Sequence, residues 1–236
     1  MAKKAASPAA AGPAGAHLEA SVAASYLLSM LAGAPPRGLP STEITEVRVQ
    51  QAPEGCPLDD VVVKAKDAAG NPATLEIQVK RTVSFSPNDK VFEEVSDQIH
   101  EALSKPNFWN EKHILAIAVG RTSRKIDGPY QDVLTWAREL GSSKAFYDRL
   151  AMPKVGNDDM RDFVDTLAKH LRKHTADISD EIIWQALCRI LILPYDFGAQ
   201  ESAVVDLSKE RAATCLVEGS QSKSTMLWEA LVFKAI

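Results

Sequence analysis

The stretch from Asp60 to Lys80 can fold in few ways. Leu75-Glu76-Ile77-Gln78-Val79-Lys80 alternates apolar and polar residues. In a strand this period of two puts Glu76, Gln78 and Lys80 on one face and Leu75, Ile77 and Val79 in the core. Asp60-Val61-Val62-Val63 is β-branched and predicts the preceding strand. Between them, Asp67-Ala68-Ala69-Gly70-Asn71-Pro72 reads as a turn. A three-residue loop places Gly70 where positive φ is needed and pairs Asp67 with Asn71. Counting back along both strands sets Asp60 opposite Gln78, with Glu76 a diagonal neighbour on the same face, within reach of a shared ion. Asp59 then points the other way.

Such a face suits one kind of chemistry. A hard cation, Mg²⁺ or Mn²⁺, takes oxygen ligands from one or two carboxylates, water and substrate phosphate, and it lowers the pKa of a bound water. Asp60, Glu76 and Gln78 are the candidate ligands. Lys80 is the candidate cation beside the attacking water and the developing phosphorane charge. The same alternation also describes a solvated sheet face without chemistry. What argues for a site is Asp60, a carboxylate that opens a Val-Val-Val strand where packing gives it no reason to be.

Asp60 followed by Glu76-x-Gln78-x-Lys80, after a helix carrying Glu19, resembles the PD-(D/E)XK nuclease superfamily. That likeness implies an α/β, restriction-endonuclease-like core of helix, mixed central sheet, second helix and further strand. The order of elements read here is similar: a helix over residues 17–28, strands over 43–50 and the hairpin, a helix over 88–103 and a strand over 113–119. Asp60 would be the first metal ligand, Lys80 the motif lysine, and Glu19 the helix carboxylate that some members add. Position 78 departs from the pattern, with Gln for Asp or Glu. Its amide oxygen still coordinates but brings no charge, so Glu76 is a candidate replacement. Gln at this position is a known type of variation in the superfamily. In a helix with Leu18, Val22, Tyr26 and Leu27 along one side, Glu19 also reads as a solvated residue near the N-terminus.

Within that superfamily the chain looks most like the double-stranded DNA endonuclease domains of bacterial antiphage systems, those joined to a cyclic-oligonucleotide sensor or a STAND-type NTPase. Leu58-Asp-Asp-Val-Val-Val63, Trp184-Gln-Ala-Leu-Cys-Arg-Ile190, Leu193-Pro-Tyr-Asp-Phe197 and Leu227-Trp-Glu-Ala-Leu231 carry this second resemblance. It implies an effector domain activated by self-association, with a sensor or NTPase region beyond this chain. The apolar helical spacing that runs through residues 224–236 to the last residue fits the same expectation.

Composition bounds these readings. With 236 residues and 45% hydrophobic content, the chain can bury a sizeable core. No apolar run spans a membrane and no signal-peptide core is present, so a cytoplasmic location is expected. Cys56, Cys188 and Cys215 lack disulfide or zinc spacing, and reduced thiols are expected. A net charge of −4 argues against a nonspecific DNA coat, because phosphate affinity rests on Lys and Arg. Local clusters at Lys80-Arg81 and at Arg121 with Arg124-Lys125 are the candidate DNA-binding residues. Lys169-His170-Leu171-Arg172-Lys173-His174 reads as a solvated, basic helix end.

The predicted organisation is a low-complexity tail over residues 1–14, a nuclease core over 15–128 and a helical extension over 129–236. In the extension, helical periodicity covers 131–140, 160–171 and 180–187, and 190–193 is a candidate added strand. Gly219-Ser-Gln-Ser-Lys223 lacks the spacing of a phosphate loop and reads as a connection between helices. Two alternatives stand beside the defence effector: a free-standing restriction or repair nuclease, and a catalytically silent nuclease-like fold used for binding or assembly.

Overall fold

In the computed structural model, residues 12–51, 54–175, 177–197 and 202–235 are described. Its centre is a five-stranded mixed sheet in the order β1-β2-β3-β4-β5, with β1 Thr42–Val49, β2 Val61–Asp67, β3 Pro72–Lys80, β4 Lys112–Val119 and β5 Ile190–Pro194. β1, β2 and β3 pair antiparallel, and β4 and β5 continue the sheet in parallel. Each parallel step requires a crossover. Helix α1 (Pro13–Leu31) precedes the sheet, and α2 (Lys90–Leu103) links β3 to β4. Between β4 and β5 come a π-helical turn at Ile126–Tyr130 and helices α3 (Gln131–Glu139), α4 (Ser143–Ala151), α5 (Asp158–Arg172) and α6 (Asp180–Arg189). Helices α7 (Ala203–Thr214) and α8 (Ser224–Ala235) follow, joined by a 3₁₀ turn at Gln221–Lys223. The Gly219–Lys223 segment is thus the connection between helices that its sequence suggested.

The hairpin turn forms for the reasons its residues supply. Gly70 takes φ +83, and its N–H donates 2.9 Å to the Asp67 carbonyl. The Asp67 side chain accepts from the N–H groups of Ala69 and Asn71, both at 2.9 Å. Asp67 N–H donates 3.0 Å to the Asn71 carbonyl, which fixes the register that pairs Val61 with Ile77 and Val62 with Glu76. One residue back along β2 and one forward along β3, Asp60 faces Gln78, as the sequence predicts.

Two apolar layers enclose the sheet. On one face Leu18, Val22, Ala23 and Tyr26 of α1 pack on Val61, Val63, Leu75, Ile77 and Ala118. On the other, Phe92, Val95 and Ile99 of α2 pack on Leu115, Ile117 and Val119, and this core runs on through Val133, Phe146, Phe163, Leu167 and Leu187 to Ile190 and Ile192 of β5. Residues on both sides of position 128 therefore share one core, and the C-terminal helices complete it. A smaller cluster joins Ala20, Ala24 and Leu28 of α1 to Ala212 of α7 and to Trp228 and Val232 of α8.

Three expectations change. Helix α1 starts at Pro13 rather than 17, so it takes in two positions assigned to the low-complexity tail; residues 1–11 of that tail lie outside the described residues. Helices α4 and α7 were not foreseen. The basic run at Lys169–His174 ends a helix as expected, with Lys169, Lys173 and His174 exposed, but it is only partly solvated. His170 is 1% exposed, Arg172 pairs with Asp180 at 2.6 Å, Lys173 with Glu93, and His174 lies 2.7 Å from Asp97. Lys173 and His174 thus reach α2, and Arg172 reaches the start of α6. No described helix is long and apolar enough to cross a membrane, and all three cysteines are free.

Candidate functional site

Asp60 stands just before β2, where the chain leaves the connection from β1, and Gln50 N–H donates to its carbonyl at 3.3 Å. Its carboxylate Oδ2 accepts from the Gln78 amide nitrogen and, at 2.7 Å, from Val79 N–H. Gln78 is buried, and its other amide atom, Oε1, has no hydrogen-bond partner. A buried carbonyl oxygen without a donor is unfavourable unless something else supplies positive charge. Lys80, half-buried at the end of β3, exerts the attractive charge felt by both Asp60 and Glu19.

Burial pushes the Asp60 carboxyl up to about 7, and like charge from Glu19 and Asp59 adds to it; Val79 N–H and Lys80 pull the other way. Burial likewise raises Glu19, with Asp59 adding to it and Lys80 opposing. Three carboxylates and one lysine thus act on one another at the ends of α1, β2 and β3. Asp59 is the member that strand alternation misses. Its charge acts on both Glu19 and Asp60. The Asp59-Asp60 pair was the visible signal.

Glu76 lies elsewhere. Its carboxylate is engaged by partners other than Asp60. Glu76 is 1% exposed; its Oε1 is 3.1 Å from Lys105 Nζ and 2.9 Å from His113 Nε2, and its Oε2 accepts from Leu58 N–H at 3.4 Å. Burial pushes this carboxyl up, but His113 and Lys105 outweigh burial and hold it below the usual range. The cause is topological. β3 is flanked by β2 and β4 and covered by α2, so residues 73–79 are all buried and the polar face is closed rather than solvated.

The candidate phosphate-gripping residues sit at the carboxyl ends of the parallel strands, where open α/β sheets bind ligands. Arg81, Arg121 and Arg124 are exposed. Arg81 follows Lys80, whose carbonyl accepts from Gly120 N–H at 3.0 Å, so Arg81 and Arg121 leave neighbouring strands side by side. Lys125 is engaged by Asp159 at 2.6 Å.

Among the described residues, no three His, Cys, Asp or Glu side chains are grouped to hold a metal ion. The candidate oxygen donors are the Asp60 carboxylate, the orphan Gln78 oxygen and the Glu19 carboxylate, whose charge acts on Asp60. All are oxygen donors of the kind a hard divalent cation takes. The unpartnered oxygen, together with a carboxyl that ionises only near neutrality, fits such a cation, which would relieve both. Comparisons with protein-family models, curated proteins and solved structures gave no significant match.

Proposed function

We propose that this chain is a metal-dependent endonuclease domain that hydrolyses phosphodiester bonds of double-stranded DNA. The observation that carries this reading is the Asp60–Gln78 pair, joined across the hairpin with the Gln78 oxygen left without a donor and Lys80 beside it. Asp60, Gln78 Oε1 and Glu19 would hold Mg²⁺ or Mn²⁺, which when bound supplies Lewis acidity and a water of lowered pKa. The Lys80 ammonium orients the attacking water and offsets charge gained by the phosphate oxygens. As the water oxygen bonds to phosphorus, one P–O ester bond breaks and the departing oxygen takes up a proton. Arg81, Arg121 and Arg124 grip the flanking phosphates, with Lys125 contributing less while it is paired with Asp159.

On the sequence resemblance, this domain serves as a cytoplasmic antiphage effector activated by self-association, joined to a sensor or NTPase region. The acidic net charge supports that regulation, because a domain with few phosphate contacts gains grip through effective concentration when copies cluster. A free-standing restriction or repair nuclease would cut without clustering. A silent binding or assembly module is favoured by one observation, the lack of a three-residue His, Cys, Asp or Glu group among the described residues.

Plasmid cleavage with Mg²⁺ or Mn²⁺ tests the reading. Nicking or linearisation that stops with chelator, with Asp60→Ala and with Lys80→Ala is expected. Undiminished cutting by either variant would remove the site assignment, and absence of cutting by wild-type chains clustered on a fused oligomerisation domain would favour the silent module.

A further inference from the structure

We propose that Glu76 is a positioning residue: with His113 and Lys105 it forms a buried ion cluster that fixes the connection ending in Asp60. This inference rests on the site reading above. Glu76 lies in the middle of β3, 1% exposed, where an unpaired carboxylate would be strongly disfavoured. Its three contacts come from different segments. His113 belongs to β4 and has its ring centroid 4.8 Å from that of Phe108. Lys105 follows α2. Leu58, itself fully buried, donates its N–H from the β1–β2 connection, two residues before Asp60.

One carboxylate therefore ties β3 to β4, to the α2–β4 connection and to the segment that delivers the first candidate ligand. That segment needs a tie. Asp60 is not itself in β2, and its carboxylate must meet the Gln78 amide and Val79 N–H from outside the strand. Glu76→Gln removes the charge and turns one acceptor oxygen into a donor, so Lys105, His113 and Leu58 N–H can no longer all be satisfied. The connection then loosens and Asp60 drifts from Gln78 and Lys80. Misplacement of a reacting group by about 1 Å costs on the order of 10²-fold in rate.

Two measurements test this on the whole chain. Hydrogen exchange read by mass spectrometry on Glu76→Gln should show amides of the β1–β2 connection opening roughly tenfold faster, with those of β5 unchanged. Cleavage at saturating Mg²⁺ should fall at least about tenfold, while the Mg²⁺ concentration for half-maximal rate stays within about twofold. Lys105→Met and His113→Gln should move both readouts in the same direction; they also serve if Glu76→Gln fails to fold. A raised metal requirement with unchanged exchange would make Glu76 a ligand and overturn the proposal. Unchanged exchange with unchanged cleavage would overturn it as well. If the wild-type chain does not cut, exchange still decides the tie, and only the nuclease reading is lost.

Discussion

Asp60 carries a stability cost that its chemistry would explain. Its carboxyl is pushed up to about 7, first by burial, whereas an unfolded chain ionises it near about 3.9. The folded state binds that proton more tightly. Its contribution to stability is therefore full below about pH 4, falls as pH rises and is lost above about 7. At roughly 1.4 kcal/mol per pKa unit, the loss is on the order of 4 kcal/mol, reduced to about 2 or 3 by partial solvent access. Asp60→Asn should consequently raise the Tm of the metal-free protein at pH 8 and leave it unchanged at pH 4. Thermal unfolding across that range checks it; a lower Tm at pH 8 would mean that the carboxylate is structurally favourable. Cation binding must displace the same proton. Apparent Mg²⁺ affinity should thus climb by up to about tenfold per unit between pH 5 and 7 and level off above. Titrations at fixed ionic strength would read this directly.

At the scale of elements, the hairpin was legible and its surroundings were not. Gly70, Asp67 and Asn71 determine a local turn, and the turn sets the register that brings Asp60 to Gln78. Burial of the polar face of β3 is a non-local fact: it depends on β4 and α2, which no pattern within residues 60–80 records. Lys105 and His113 were missed for the same reason, lying 29 and 37 positions from the carboxylate they serve. Helix α4 buries only Phe146 and Leu150, one turn apart, too little to mark a helical stripe. Two substitutions probe element junctions. Between α4 and α5, a Cβ on Gly156 would meet the Leu150 carbonyl oxygen at 1.9 Å. Gly156→Ala should cost about 3 kcal/mol, read from the denaturant midpoint. Beyond β4, the Arg121→Ala, Arg124→Ala double variant should weaken DNA binding and reduce the log–log salt slope by about 2. Lys125→Ala should do less, because Asp159 already holds that ammonium. An equal effect from Lys125→Ala would show that the pair opens for DNA.

The described residues share one sheet and a core drawn from both halves of the sequence. β5 extends the sheet beside β4, and the core on the α2 face draws on α3, α5 and α6 as well as on α2 and β4. Residues 12–128 on their own would expose that face, so this fragment should lack a cooperative unfolding transition, while the full chain should melt in one step by circular dichroism. A folded fragment would show that the helical segment is dispensable. Glu19 comes from α1, while the other candidate residues come from β3 and the connection just before β2. Whether that site exists as a cation site is decided most directly by calorimetry of Mn²⁺ binding at pH 6.5 in two buffers of different ionisation heat. One Mn²⁺ should bind with release of a proton, and Asp60→Asn should abolish both the binding and the buffer dependence. Absence of binding by the wild-type chain, or binding that Asp60→Asn leaves intact, would contradict a site built on Asp60, Gln78 and Lys80.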